Sequence, residues 1–257
     1  MEKLTTSGYA PVNGLQMYYE IHGEGEMPLV LIHGGGSTIE TTFGTILPLL
    51  SGKLIAVELQ AHGRTTDRDA PETFEQDADD VAGLLKYLKV DEANFFGFSN
   101  GGTTTLQIAM RHPELVNRIV ALSAAYEREG FIPGFFDGFT DATLNSMPQP
   151  LREAFLKVTP DQALLQNMFE KDVARMVNFK DIPDEAIKSI TAPALIIVSQ
   201  YDAITIEHTV KMSRLIKGAQ LMVLPGMHGA CIGEMGVNAS NKVPAATAVF
   251  IEEFLSA

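Results

Sequence analysis

Cysteine and long apolar runs are both scarce in this chain. Its 257 residues include one cysteine, Cys231, so an internal disulfide is excluded and a reducing compartment is favoured. No stretch approaches the roughly 18 consecutive apolar residues that a membrane span needs. Residues 1–8 are mostly polar and are not followed by an apolar signal region. We therefore expect a cytoplasmic protein without membrane segments, built as one large domain or as a core with a small insertion.

Basic residues are also in short supply. The chain has 19 Lys and Arg against 32 Asp and Glu, which gives a formal net charge of −13. This balance argues against nucleic acid as a partner, because phosphates are bound by basic side chains. A solvated helix face is the favoured interpretation of five neighbouring acids: Glu72, Glu75, Asp77, Asp79 and Asp80. The six histidines are spread along the chain without metal-ligand spacing, so no metal is expected.

Apolar patterning predicts alternating strands and helices. Residues 9–12 and 15–21 are β-prone and flank Asn13-Gly14, which predicts an antiparallel hairpin. Apolar runs that are typical of parallel strands buried on both faces follow at residues 28–32, 54–59, 93–98, 118–123 and 194–198. In residues 74–88 apolar side chains recur every three or four positions, which indicates an amphipathic helix. The alternation predicts an α/β fold with a doubly wound, mostly parallel sheet.

One of these runs ends in a serine flanked by glycines. The sequence Gly97-Phe98-Ser99-Asn100-Gly101 fits the G-x-S-x-G pattern of a nucleophile elbow, and a helix-like segment follows at once. Gly97 and Gly101 occupy the positions where a Cβ would collide, and Ser99 occupies the strained apex with its hydroxyl exposed. An ordinary glycine-rich turn is the alternative that this pattern alone leaves open.

A second glycine-rich loop, His33-Gly34-Gly35-Gly36, follows the strand predicted at residues 28–32. It lacks the Lys and Ser/Thr of a P-loop and the spacing of a dinucleotide-binding loop, so no phosphate-bearing cofactor is expected. Its backbone N–H groups could instead serve the same site as Ser99. In acyl transfer, such a group joins the N–H of the residue after the nucleophile to hold the oxyanion. The expected donors are the backbones of Gly35 and Asn100, with Gly36 as a substitute for Gly35.

The order and spacing of six motifs resemble the α/β-hydrolase family over most of the chain. The motifs are His33-Gly34-Gly35-Gly36, Ala61-His62-Gly63-Arg64, the elbow around Ser99, Pro113-Glu114 after its helix, Ser199-Gln200-Tyr201-Asp202 and Leu224-Pro225-Gly226-Met227-His228-Gly229. The resemblance implies an eight-stranded α/β-hydrolase sheet formed by residues 1–124 and 190–257. It also implies a small helical lid, residues 125–189, inserted after the sixth strand.

A serine hydroxyl needs a base within hydrogen-bond reach and a carboxylate that fixes the tautomer of that base. His228 follows an apolar strand and is flanked by glycines, which makes it the favoured base, with His62 second. Asp202 follows the strand at residues 194–198, and Glu127 is the fallback acid. The order Ser99, Asp202, His228 is the one expected for this fold.

The sheet pattern stops between residues 124 and 190. Helix-like stretches are predicted there at residues 150–158, 160–169 and 173–177. Five apolar side chains could line a pocket or form the core of the lid: Phe135, Phe139, Met147, Met168 and Phe169. A last helix is predicted at residues 245–255, with Ala246, Val249, Phe250 and Leu255 expected to pack beside the sheet.

These inferences predict a serine hydrolase that cleaves a small, mostly apolar ester or related carbonyl compound through an acyl-enzyme. Two alternatives use the same three residues: a carbon–carbon bond hydrolase and a cofactor-free perhydrolase. A third is a ligand-sensing protein on a hydrolase scaffold, because fold alone does not fix function. The expected partner is a small-molecule substrate, and the oligomeric state stays open.

Overall fold

The computed structural model describes residues 5–237 and 242–257. The chain opens with the predicted hairpin, in which β1 (Thr5–Val12) pairs antiparallel with β2 (Leu15–His22). Its two-residue turn has φ of 47° at Asn13 and 86° at Gly14, the left-handed conformation that favours these residue types. The hairpin prediction is confirmed. Residues 1–4 and 238–241, which fall within the predicted core, lie outside the described residues.

The sheet has eight strands in the order β1-β2-β4-β3-β5-β6-β7-β8. The remaining strands are β3 (Leu29–Ile32), β4 (Leu54–Val57), β5 (Ala93–Phe98), β6 (Val116–Leu122), β7 (Ala194–Tyr201) and β8 (Gln220–Met227). β2 is antiparallel to both of its neighbours, and all remaining neighbouring pairs are parallel. The prediction of a mostly parallel, doubly wound α/β sheet is therefore confirmed.

Helices cover both faces of this sheet. They are α1 (Ile39–Phe43), α2 (Phe74–Leu88), α3 (Asn100–Arg111), α4 (Gln149–Val158), α5 (Gln162–Val177), α6 (Asp184–Lys188), α7 (Ile206–Leu215) and α8 (Lys242–Ser256). Neighbouring side chains of one strand enter opposite cores: Phe95 packs with residues of α2 and α3, and Phe96 packs with residues of α1 and α8. Two buried faces explain why the central strands read as continuous apolar runs. None of the helices that the structure describes is long and apolar enough to span a membrane.

Two helix predictions are wrong in detail. The stretches predicted at residues 160–169 and 173–177 form one helix, α5, whose first turn is capped by the Asp161 side chain. No helix breaker interrupts it. In α8 the buried residues are Pro244, Thr247, Ala248, Ile251 and Phe254, whereas Val249 and Phe250 are exposed. The buried face of α8 lies about two-fifths of a turn away from the predicted one, because Ile251 and Phe254 set it, and of the predicted residues Leu255 packs partly against the core.

The segment between β6 and β7 contains α4, α5 and α6, preceded by short 3₁₀ turns such as Phe135–Phe139. Phe131 forms an isolated bridge with Ile204, just beyond β7, so the segment is joined to the sheet near that strand's end. Side chains from this segment and from the carboxyl ends of the strands enclose a common cavity. The interpretation of residues 125–189 as a lid stays a prediction.

The turn from β5 into α3 brings the strand and the helix unusually close together. A Cβ on Gly97 would lie 2.0 Å from the carbonyl oxygen of Gly101, and a Cβ on Gly101 would lie 2.2 Å from that of Ile32. Between them Ser99 adopts φ 56° and ψ −119°, a backbone conformation that side chains rarely adopt. The two glycines therefore allow the approach that places Ser99 at the apex.

We expect Gly97→Ala to destabilise the fold by at least about 3 kcal/mol, because backbone atoms cannot move aside as a flexible side chain can. Thermal or urea unfolding of the purified protein measures this change. The control is Gly138→Ala, whose added Cβ would meet no atom within 4 Å. Equal stability of the two variants would contradict the close approach.

Candidate active site

Ser99, His228 and Asp202 form a continuous chain of hydrogen bonds at the carboxyl ends of the strands. Ser99 follows β5, Asp202 follows β7 and His228 follows β8. The Oγ atom of Ser99 lies 3.0 Å from Nε2 of His228, and Nδ1 of His228 lies 2.6 Å from Oδ1 of Asp202. Parallel strands bring these residues together because their carboxyl ends meet at one edge of the sheet. The structure thus places all three predicted side chains in contact.

The Asp202 carboxylate is saturated with donors. His228 and the Ile204 backbone N–H bond Oδ1, while the Ser123 hydroxyl at 2.6 Å and the Ser199 backbone N–H at 3.1 Å bond Oδ2. Burial alone would raise the pKa of Asp202, but His228 and the other donors outweigh it and lower the pKa. Asp202 is therefore an anion that holds a proton on Nδ1 of His228. The lone pair of Nε2 is left to face the Ser99 hydroxyl.

The electrostatics of His228 follow from this contact. Burial lowers the pKa of His228, but the charge and hydrogen bond of Asp202 outweigh burial, so the pKa lies above 6.5. Glu234 contributes in the same direction, and burial raises its own pKa to about 7. The ring of Phe98 lies 4.7 Å from the imidazole ring, centroid to centroid, and supports it from one side. His228 is arranged to accept a proton and to stabilise the imidazolium that forms.

Gly35 and Asn100, the two residues predicted to supply oxyanion donors, line the same cavity as Ser99. Asn100 is the first residue of α3, so its N–H has no partner within the helix. The positive end of the helix dipole lies next to Ser99. A Cβ on Gly35 would lie 2.5 Å from Nδ2 of Asn100, so the two predicted oxyanion donors belong to neighbouring residues. The N–H of Gly36 is engaged elsewhere, since it donates to Oδ2 of Asp172 at 2.5 Å. Gly36 is therefore not available as a substitute for Gly35.

A buried ionic cluster adjoins this loop, and the sequence analysis missed it. Arg175 of α5 contacts Asp77 at 2.8 Å, Glu72 at 3.4 Å and Asp172. Asp172 also receives Nε2 of His62 at 3.0 Å. We define the ionic cluster as these five residues. The prediction of a solvated helix face is wrong for Glu72, Asp77 and Asp80, which are 4%, 1% and 1% exposed. Arg175 supplies the counter-charge for Glu72 and Asp77, and Arg68 supplies it for Asp80.

The residues that the sequence left as alternatives to this base and acid contact other groups. Glu127, the fallback acid, bonds His208 and Lys211 rather than His228. His62, the second candidate base, is buried within the ionic cluster, where its Nε2 bonds Asp172. Cys231 is fully buried, and burial raises the pKa of its thiol to about 12. Within residues 5–237 and 242–257, no group of three or more metal-binding side chains is found.

A cavity of about 410 Å³ opens onto Ser99. Its polar lining includes Ser99, Asn100, Asp172 and His228. The rest is largely apolar, and all five side chains that the sequence left undecided line it: Phe135, Phe139, Met147, Met168 and Phe169. Met147 and Met168 also pack with α4 and α5 residues in a small apolar core, so they contribute to both. An apolar cavity with a few convergent polar groups is typical of a small-molecule site.

Comparisons with known proteins agree with this architecture. A family model described as the alpha/beta hydrolase fold matches residues 27–178. Human serine hydrolase BPHL is 30% identical over 241 residues, covering 87% of this chain and 80% of the human protein. The chain therefore belongs to the α/β-hydrolase fold family.

Two solved structures share the fold over nearly the whole chain. The 2-hydroxy-6-oxo-6-phenylhexa-2,4-dienoate hydrolase of Rhodococcus sp. strain RHA1 has a TM-score of 0.79 at 16% identity and covers 99% of this chain and 100% of that one. The enol-lactonase of Burkholderia xenovorans LB400 has a TM-score of 0.75 at 23% identity, with coverages of 97% and 100%. The TM-scores show a shared fold, and at identities of 16% and 23% the likeness shows no more than that.

Two further side chains were absent from the sequence prediction. Ser123 has φ of 52° and donates to Asp202, and Glu234 lies against the His228 loop and receives the Ser37 hydroxyl at 3.3 Å. A serine directly after a buried strand was the available signal for Ser123. Nothing in the sequence pointed to Glu234, because its partner Ser37 is 197 positions away.

We expect NMR titration of the His228 imidazole to give a pKa above 6.5 in the wild type. In Asp202→Asn the pKa should fall below the wild-type value, because the negative charge that stabilises the imidazolium is removed. The measurement needs no substrate. An unchanged or higher pKa in Asp202→Asn would contradict the contact at Nδ1.

Proposed function

We propose that this protein is a serine hydrolase that cleaves a neutral, mostly apolar ester or related carbonyl compound through an acyl-enzyme. The observation that carries the proposal is the hydrogen-bond chain from Ser99 through His228 to Asp202, which opens into an apolar cavity. A pure binding protein gains nothing from a serine held in strain beside an oriented imidazole. Ser99 is the nucleophile, His228 the general base and acid, and Asp202 the residue that orients it.

The geometry supports the following steps of acyl transfer. As the Oγ of Ser99 attacks the carbonyl carbon, its proton passes to Nε2 of His228. The N–H groups of Gly35 and Asn100 hold the developing oxyanion. His228 then gives its proton to the leaving alcohol as the bond to it breaks. A water molecule repeats the sequence on the acyl-enzyme and releases the acid.

The cavity disfavours an anionic substrate. Among the described residues that line it, none is Lys or Arg. Arg175, which contacts the lining residue Asp172, is only 5% exposed and is held by three carboxylates. A substrate carboxylate entering this space would lose its hydration without gaining a free partner, which costs several kcal/mol. The apolar wall instead stabilises an alkyl or aryl acyl group.

Carbon–carbon bond hydrolysis is the second candidate, and it draws on the likeness to the Rhodococcus dienoate hydrolase. The substrate in that enzyme's name is a carboxylate, whereas this cavity offers no free cation among its described lining residues. Ester chemistry is therefore favoured.

Peroxide could intercept the same acyl-enzyme, which keeps perhydrolysis as a side reaction of the proposed mechanism. In this proposal residues 125–189 act as the lid that excludes water from the cavity.

We expect a fluorophosphonate probe to form one adduct, on Ser99, in the wild-type protein. Intact mass and peptide mapping measure it. The adduct should be absent in Ser99→Ala and strongly reduced in His228→Ala, because an unactivated hydroxyl is a poor nucleophile. With p-nitrophenyl esters, each substitution should lower kcat/KM by on the order of 10⁴-fold.

His112→Ala provides the matched control, since this half-buried histidine bonds Asp79 away from the cavity. Wild-type turnover by Ser99→Ala would refute the assignment. Stoichiometric ligand binding without turnover of any ester would instead favour the sensing protein.

We also expect p-nitrophenyl butyrate to be cleaved with a kcat/KM roughly 100-fold or more above that of mono-p-nitrophenyl succinate. The two esters have acyl chains of equal length, but the succinate carries a terminal carboxylate. Comparable values for the two would overturn the preference for neutral substrates and bring the dienoate-type candidate forward.

A further inference from the structure

Helix α5 is fastened to the core by polar contacts along one side. Asn167 and Lys171 contact Asp67 at 3.0 and 3.1 Å, and one helical turn further on Arg175 joins Asp77 at 2.8 Å. The neighbouring side, with residues such as Met168 and Val173, lines the cavity. These positions recur at three or four residues, as expected for one helix face. α5 is therefore a fixed wall of the cavity.

From this wall Asp172 reaches the glycine loop that supplies an oxyanion donor. Its Oδ2 accepts the N–H of Gly36 at 2.5 Å, and a Cβ on Gly35 would lie 3.4 Å from its Oδ1. The carbonyl oxygen of Gly35 accepts the Ser37 hydroxyl at 3.3 Å. The peptide group that joins Gly35 to Gly36 is thus held at both ends. Adjacent glycines have wide conformational freedom, so such contacts decide which orientation the loop adopts.

The ionic cluster keeps Asp172 in its anionic form. Burial would raise the pKa of Asp172, but His62 and Arg175 outweigh it and hold the pKa well below its usual range. The pKa of His62 is in turn raised to about 9, because Asp172 and Glu72 outweigh the effect of burial. An anionic carboxylate is a stronger acceptor for a backbone N–H than a neutral one. The two cations also offset its repulsion of a developing oxyanion nearby.

We propose that Asp172 is a positioning residue for the oxyanion hole, fixing the Gly35–Gly36 peptide so that the Gly35 N–H stays aimed at the reacting carbonyl. This proposal rests on the hydrolase function above. The hydrogen bonds of Asp172 run to Gly36, His62 and Arg175 rather than to Ser99. Asp172 acts through the loop, and the cluster formed with His62, Arg175, Glu72 and Asp77 holds it there.

Kinetics of matched variants test the proposal. Asp172→Ala should lower kcat by about 10- to 100-fold with KM nearly unchanged, because a misplaced donor is felt only in the transition state. Asp172→Asn should retain more activity, since its amide oxygen can still accept the Gly36 N–H. Glu170→Gln removes the same charge from an exposed neighbour on α5, whose bond is to Gln166, and should match wild type.

Inhibitor binding separates positioning from mere anchoring of the helix. A trifluoromethyl ketone forms a hemiketal oxyanion with the serine, whereas the corresponding secondary alcohol cannot. In Asp172→Ala, affinity for the ketone should fall by the same factor as kcat/KM, and affinity for the alcohol should stay within about twofold. Equal losses for ketone and alcohol, with a raised KM, would overturn the proposal and leave Asp172 a helix anchor.

Hydrogen exchange measures the loop without catalysis. The Gly36 amide should exchange at least about 10-fold faster in Asp172→Ala than in wild type or Glu170→Gln, with Asp172→Asn between them. Unchanged exchange would refute the positioning role even in an active enzyme. If wild type exchanges as expected but turns over no ester, the hydrolase proposal fails while the contact between Asp172 and the loop is still measured.

Discussion

The close approach of β5 to α3 is the constraint on which the rest of the site depends. It requires bare α-carbons at Gly97 and Gly101, and it forces Ser99 into a backbone conformation that only the surrounding packing maintains. The same turn places the start of α3, whose first N–H groups have no intrahelical partner, directly after Ser99. Because β7 and β8 end at the same edge of the sheet, Asp202 and His228 meet Ser99 without long connections. One backbone contact thereby sets the position of the proposed nucleophile and of one proposed oxyanion donor.

Features that depend on neighbouring residues could be predicted from the sequence. The turn at Asn13-Gly14 needs only its own dihedral preferences, and each central strand is recognisable because both of its faces are buried. The proposed catalytic residues were found for a related reason, since each lies in the loop that follows an apolar run predicted to be a strand. Their roles remain proposals, although the structure brings Ser99, Asp202 and His228 into one hydrogen-bond chain.

Features that depend on distant partners could not be predicted. Asp77 looks like a surface acid because its counter-ion, Arg175, lies 98 positions further along the chain. Gly36 looked like a free donor for the related reason that Asp172 is 136 positions away. The buried face of α8 was misjudged because Val249 and Phe250 are as apolar as the residues that pack, and only the shape of the neighbouring core selects between them. Charge pairing and packing choice across the fold carry no local signature.

The ionic cluster also bears on whether the sheet could exist as an autonomous folding unit. Glu72 and Asp77 belong to the first half of the chain and are buried, yet the guanidinium that pairs with both of them, that of Arg175, comes from α5. A fragment that ended before α5 would have to hydrate or protonate these acids, and either change opens the packing around α2. The segment between β6 and β7 therefore contributes to the stability of the core, and a foreign segment grafted in its place would have to supply a new buried guanidinium at the same point.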